Sequence, residues 1–177
     1  MRFASMRALD ISNGENVGVS LFVQGCPFHC YNCFNPDTWN FNGGKEWTEE
    51  TKKQFLELID RPYIKRVSLL GGECLAEQNL DDILSLVQEI RLSFPEKTIW
   101  LYTGFRWEDI EVKYPLNKEW EQNVLRQEII KLCDVVVDGE YIDEQRDIAL
   151  KWRGSSNQRV ISIPETLAQN KIVLYCD

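Results

Sequence analysis

The chain alternates short apolar runs with segments of helical periodicity, and this alternation limits the folds that it can adopt. The runs at residues 17–23, 66–70 and 98–103 are rich in leucine, β-branched and aromatic residues, and a glycine follows each within two residues. Such runs are typical of strands, whereas residues 80–94 carry apolar side chains at helical spacing. By the same criteria we expect helices at 48–60 and 121–133, and strands at 134–137, 160–163 and 171–175. This alternation predicts an α/β fold with mostly parallel strands.

The size and charge of the chain limit its class. Its 177 residues fit a single domain, 1–177, which can bury roughly 70% of its unfolded surface without disulfide staples. The formal net charge is −8, and this argues against nucleic-acid binding, since that requires a basic face. With only one histidine, His29, metal chemistry that relies on several histidines is excluded.

The sequence predicts a cytoplasmic protein with no membrane segment. The longest stretch without Asp, Glu, Lys or Arg, residues 16–36, contains asparagines, glycines, a proline and three cysteines, whereas a spanning helix needs about 20 predominantly apolar residues. The first residues lack the apolar core of a secretory signal. In a reducing compartment, clustered cysteines are more often metal ligands or catalytic groups than disulfides.

Three cysteines stand within eight residues. Cys26, Cys30 and Cys33 have the spacing CxxxCxxC, which suits three corners of an iron–sulfur cubane and leaves one iron without a protein ligand. A structural zinc site with His29 or a distant cysteine as fourth ligand is the alternative. The other cysteines stand alone and are expected to be small buried residues; they are Cys74, Cys133 and Cys176.

Polar or glycine-containing motifs follow the other predicted strands. Ligands of parallel sheets bind outside the carboxyl ends of the strands, where this chain places Gly71-Gly72-Glu73, Thr103-Gly104 and Asp138. Each of these motifs has an alternative role in turn formation. The segment RGSSNQR at 153–159 is either a polar surface loop or a part of the site or of a partner surface.

CxxxCxxC after the first predicted strand and GGE after the next resemble the radical S-adenosylmethionine superfamily. Together with the short length, GCPFHCYNCFN, LYTG, DVVVDGEY and RGSSNQR resemble its activases of anaerobic ribonucleoside-triphosphate reductase, from about Ala8 to Tyr175. The resemblance implies a partial (βα) barrel with a [4Fe-4S] cluster on Cys26, Cys30 and Cys33. It also implies that the amino and carboxylate groups of S-adenosylmethionine chelate the fourth iron.

The resemblance further implies a reaction and its partners. One electron from reduced flavodoxin or a similar donor cleaves S-adenosylmethionine, and the resulting radical takes hydrogen from a glycine of the large reductase subunit. Gly71 and Gly72 then allow close approach of the cofactor, and Glu73 accepts from its ammonium group. Further cofactor contacts are expected at strand ends, from Thr103 and Asp138.

The sequence departs from the superfamily pattern at two places. Asn32 stands before the third cysteine, where many members have an aromatic residue, so we expect adenine contacts from backbone, Phe34 or Tyr31. Cys74 follows GGE in place of proline.

Rival functions fit the same motifs. These are an activase of another glycyl-radical enzyme, a small radical S-adenosylmethionine synthase of the deazaguanine type, and a non-catalytic iron–sulfur or zinc-binding module. About 140 residues follow Cys33 and contain no second cysteine cluster. That leaves little room for a small-molecule pocket or auxiliary clusters, and an incomplete barrel suits a protein substrate that inserts a loop.

Overall fold

The structure, a computed structural model, describes residues 1–110 and 118–176. Over these residues one sheet contains eight strands, accompanied by four helices. The strands are β1 Arg2–Asp10, β2 Gly18–Val23, β3 Lys45–Glu46, β4 Arg66–Gly71, β5 Thr98–Tyr102, β6 Val135–Asp138, β7 Arg159–Ser162 and β8 Leu174–Cys176. The helices are α1 Glu49–Ile59, α2 Leu80–Ser93, α3 Lys118–Lys131 and α4 Ile163–Gln169. No helix within the described ranges is long and apolar enough to cross a membrane.

The sheet is mixed, so the prediction of mostly parallel strands is wrong. Its order is β3-β1-β2-β4-β5-β6-β7-β8. The central strands β2, β4, β5 and β6 are parallel as expected, but four of the seven pairings are antiparallel. Parallel neighbours require a crossover connection, whereas a short loop joins β1 to β2. In the β6–β7 pair, Asp138 lies opposite Arg159, so the connection between them begins and ends at the same end of the sheet.

Most predicted elements are confirmed, but the strand expected at 171–175 covers only Leu174–Cys176, and β1, β3 and α4 were not predicted. The helix predicted from Thr48 begins with a capping box, in which Thr48 and Thr51 each bond the other's backbone N–H. Strand β1 was not predicted, because most of its side chains are half-buried or exposed and show no alternation. Around Pro164 we expected only strands, but Pro164 lies in the first turn of α4, where its missing N–H costs no hydrogen bond.

The two faces of the sheet have different partners. Val67 and Leu69 of β4 and Leu101 of β5 belong to a core cluster that contains buried side chains from all four helices. Arg66, Ser68 and Trp100 alternate with them and therefore point to the opposite face. The buried cluster on that face contains no helix residue. One face of the sheet is thus left for a site.

Arg66 closes one end of this helix-free face. It is fully buried and donates to the Asp10 carboxylate at 3.0 Å and to the Asn13 carbonyl at 2.6 Å. Burial alone raises the pKa of Asp10, but hydrogen bonds from the Asn13 and Ser12 backbone and from Arg66 outweigh it and lower that pKa to about 2. The loop between β1 and β2 is therefore tied to β4.

Candidate functional site

A cavity of about 400 Å³ lies at the carboxyl ends of the parallel strands. Residues that follow β2, β4, β5 and β6 line it, together with the β1–β2 loop and part of the segment 139–158. This is the position at which parallel sheets bind their ligands. Three of the six cysteines line the cavity, and they are Cys26, Cys30 and Cys33.

Backbone hydrogen bonds shape the cysteine loop. The Cys26 N–H donates to the carbonyl of Trp39 at 3.1 Å, and the Cys33 N–H donates to the carbonyl of Cys30 at 3.1 Å. His29 and Asn32 adopt left-handed backbone conformations, with φ of 51° and 53°. Asparagine tolerates this region better than most residues, so Asn32 suits the backbone conformation at its position.

The donor set fits an iron–sulfur cluster better than zinc. Within the described ranges, no three His, Cys, Asp or Glu side chains are arranged to hold one metal ion, as a structural zinc site requires. A cubane instead takes each thiolate on a different iron, so its ligands need not converge on one point. Burial raises the pKa of Cys26 to about 11 and also raises that of Cys30. Cluster binding therefore has to displace thiol protons.

Glu73 joins the ends of β4 and β5. Its side chain is buried; Oε1 accepts from the Leu75 N–H and the Thr103 hydroxyl, each at 2.8 Å, and Oε2 accepts from the Gly104 N–H at 2.8 Å. Burial raises the pKa of Glu73 to about 7, although these hydrogen bonds and the charge of Arg126 oppose the shift.

The two glycines of GGE allow close contact with the cysteine loop. The Glu73 N–H donates to the Gly25 carbonyl at 2.7 Å, and a Cβ on Gly72 would lie 2.5 Å from that same carbonyl oxygen. Gly71 has φ of +105°, a region that side chains rarely adopt. The strand end that carries Glu73 is thus fixed directly beside Cys26.

The structure brings most of the predicted cofactor residues to the cavity but leaves two outside its lining. Gly71, Gly72, Glu73, Thr103 and Phe34 line it.

The remaining two have protein partners elsewhere. The Asn32 side chain donates to Asp143 at 3.0 Å. Asp138 accepts from Arg159 and from the Trp107 N–H.

Sequence reasoning missed much of the cavity wall contributed by residues 139–158. Phe34 packs against Tyr141, with ring centroids 5.0 Å apart, and a Cβ on Gly154 would lie 2.8 Å from the Phe34 ring. Glu140, Tyr141, Arg153 and Gln158 also line the cavity. The polar motif RGSSNQR was the available signal for this wall, but sequence alone left its role open.

Comparisons with known proteins agree with the donor set. The model of a family described as a 4Fe-4S single cluster domain matches residues 12–161, and together with the three thiols at the cavity this defines a protein that carries one [4Fe-4S] cluster.

Three relatives are similar over most of their length, and each is an anaerobic ribonucleoside-triphosphate reductase-activating protein. The protein from Salmonella typhi is 37% identical over 162 residues, which cover 90% of this chain and 97% of the relative. The Escherichia coli K12 protein is 36% identical with the same coverage. The protein of Enterobacteria phage T4 is 36% identical over 92% of this chain and 94% of its own length. The chain belongs to the family of these activating proteins.

Proposed function

We propose that this protein activates an anaerobic ribonucleoside-triphosphate reductase by generating a radical from S-adenosylmethionine. The observation that carries the proposal is the joint placement of Cys26, Cys30, Cys33 and Glu73 around one cavity. Family membership supports it, since the relatives are named for this activation.

The cavity has the ligand set of a cluster with one open iron. Cys26, Cys30 and Cys33 line it, whereas the other cysteines of the described residues do not. When bound, the [4Fe-4S] cluster supplies the electron that cleaves S-adenosylmethionine to methionine and a 5′-deoxyadenosyl radical. The three thiols hold the cluster at the ends of the strands, and the loop backbone fixes their spacing.

The side chains around the cysteines provide contacts for the cofactor. Oε2 of Glu73 accepts from a single protein donor, so it keeps a lone pair for the ammonium group of the methionine moiety. Gly71 and Gly72 line the cavity beside this carboxylate with backbone alone, and Thr103 orients the Glu73 carboxylate through its hydroxyl.

The remaining predicted contacts are assigned by which side chains line the cavity, as Phe34 does and Asn32 and Asp138 do not. Phe34 offers an aromatic face to adenine, and Asn32 contributes through its backbone because its side chain is bound to Asp143. Asp138 acts as a positioning residue through its bond to Arg159.

The sheet suits a protein substrate. Its four central parallel strands form part of a partial barrel, in a single domain that covers 1–177. Over the described residues, the edge strands β3 and β8 do not pair with each other, so the sheet stays open. Exposed apolar side chains stand on the segments that border the cavity, among them Tyr31, Phe34 and Ile148. Exposed apolar groups of this kind favour a protein surface as partner.

The partners follow from this assignment. The substrate is the large subunit of the reductase, whose glycine-bearing loop enters the cavity, and reduced flavodoxin or a similar protein donates the electron in the cytoplasm. The net charge of −8 favours a neutral or basic docking surface and makes the association salt-sensitive.

The proposal is tested by following hydrogen transfer. The reconstituted protein is reduced without oxygen and incubated with S-adenosylmethionine and the reductase. We expect a glycyl doublet in the electron paramagnetic resonance spectrum, and deuterium in 5′-deoxyadenosine when the reductase carries deuterated glycine. The Cys33→Ala variant serves as the control and should give neither signal. Consumption of a small metabolite without deuterium transfer would contradict the proposal and favour a synthase.

A further inference from the structure

The cavity has an uneven distribution of charge. Glu73, Glu140 and the three cysteine thiols line it. Among its lining residues in the described part of the chain, Arg153 is the only lysine or arginine. A ligand with a carboxylate therefore finds one cationic side chain in this cavity.

Arg153 has hydrogen-bonding capacity that the protein does not use. Its Nη1 donates to the Gln158 carbonyl at 3.0 Å, which fixes the side chain beside the cavity. Its Nε is buried and has no hydrogen-bond partner within the described residues. Because Nε is buried, a ligand in the cavity cannot reach it. The second terminal nitrogen, Nη2, is not among the buried atoms and has no partner among the described residues, so it can donate to a ligand.

The neighbouring charged groups do not supply an acceptor for this nitrogen. Arg159, at the other end of the same segment, is bound to Asp138 and Glu108, whereas the structure gives no ion pair to Arg153 among the residues it describes. The Glu140 carboxylate lies 4.0 Å from the Cys30 sulfur, on the side of the cysteine loop.

We infer that Arg153 binds the carboxylate of the methionine moiety of S-adenosylmethionine. The inference rests on the proposed function and adds a specificity-determining residue to it. S-Adenosylmethionine carries a positive sulfonium, a positive ammonium and one negative carboxylate; Glu73 is suited to the ammonium and Arg153 to the carboxylate. A guanidinium binds a carboxylate with paired N–H donors, which a lysine does not reproduce.

The test compares two ligands that differ only in the carboxylate. Binding of S-adenosylmethionine and of decarboxylated S-adenosylmethionine to the unreduced, cluster-loaded protein is measured by anaerobic calorimetry, with displacement titrations for weak binding. The R153Q variant should bind S-adenosylmethionine roughly ten- to a hundredfold more weakly and bind the decarboxylated compound as the wild type does. K151Q is the matched control, because Lys151 is exposed and lies outside the cavity lining, and it should change neither affinity.

The outcomes separate this inference from the proposed function. An equal loss for both ligands would show a structural role for Arg153, and no loss for either would show no role; both results overturn the inference. Failure of the wild type to bind S-adenosylmethionine would overturn the proposed function itself. Iron content and circular dichroism report whether R153Q assembles. If it does not, R153K should show a smaller loss that is still confined to S-adenosylmethionine.

Discussion

The two walls of the cavity differ in how completely their polar groups are paired. The strand-end wall, made of residues 71–73 and 103–104, has both oxygens of the buried Glu73 carboxylate paired with protein donors. The C-terminal wall, made of residues 139–158, contains buried polar atoms without partners, namely Nε of Arg153 and Oδ1 of Asn157. In the first wall, protein donors alone hold the carboxylate in place and leave only spare acceptor capacity for a ligand, whereas the second wall contains polar groups that the protein leaves unpaired.

The largest effect is expected at the cysteine loop, which both walls adjoin. Replacement of Cys26, Cys30 or Cys33 by alanine should abolish cluster iron and the visible absorbance, since a cubane held by three thiolates loses a corner. Iron analysis after anaerobic reconstitution measures this. The control Cys176→Ala changes a half-buried cysteine of β8 outside the cavity lining and should retain the cluster. Loss of the cluster in this control would contradict the three-ligand assignment.

A smaller effect is expected on the free energy of unfolding, which should respond differently to substitutions in the two walls. Burial raises the pKa of Glu73 to about 7, so the loss in Glu73→Gln comes not from the charge but from the amide NH2, which leaves a buried N–H donor without an acceptor. We expect the free energy of unfolding to fall by up to about 3 kcal/mol, as measured by urea denaturation. Glu140→Gln, at an exposed carboxylate on the C-terminal wall, should change it by less than about 0.5 kcal/mol. Equal losses in the two variants would remove the distinction.

The smallest of these effects concerns Asp10, next to the β1–β2 loop that closes the cavity. Its pKa is lowered to about 2, so the carboxylate stabilises the fold above its unfolded pKa near 3.8, and this stabilisation is lost as the pH falls through about 2. It amounts to about 2 kcal/mol. Asp10→Asn should therefore be less stable than the wild type at pH 6, with the difference shrinking toward pH 2. A difference that does not vary with pH would contradict the Asp10–Arg66 interaction as its cause.

The central strands and the cysteine loop could be predicted from sequence, because their signals are local. Apolar runs bounded by glycine mark β4 and β5, and CxxxCxxC marks the loop by spacing alone. Strand β1 carries no such signal in its side chains. It is a strand because it pairs with β2 and β3.

The partners of the site side chains could not be predicted. Asp138 was correctly placed at a strand end, but its partner Arg159 faces it only because β6 and β7 pair antiparallel. Asn32 is likewise bound by Asp143, more than a hundred residues away. Arg153 was visible only as part of a polar segment, because neither its place at the cavity nor its unpaired Nε is a property of local sequence.

Amide hydrogen exchange before and after addition of S-adenosylmethionine compares the two walls of the cavity in one experiment. The cluster-loaded, unreduced protein should show slower exchange across residues 153–158, because a ligand bound by Arg153 opposes local opening of this wall. Exchange at residues 73, 75 and 104 should slow less, because the Gly25 carbonyl and the buried Glu73 carboxylate hold these N–H groups before the ligand binds. Slower exchange confined to residues 73, 75 and 104, with none across 153–158, would contradict the account.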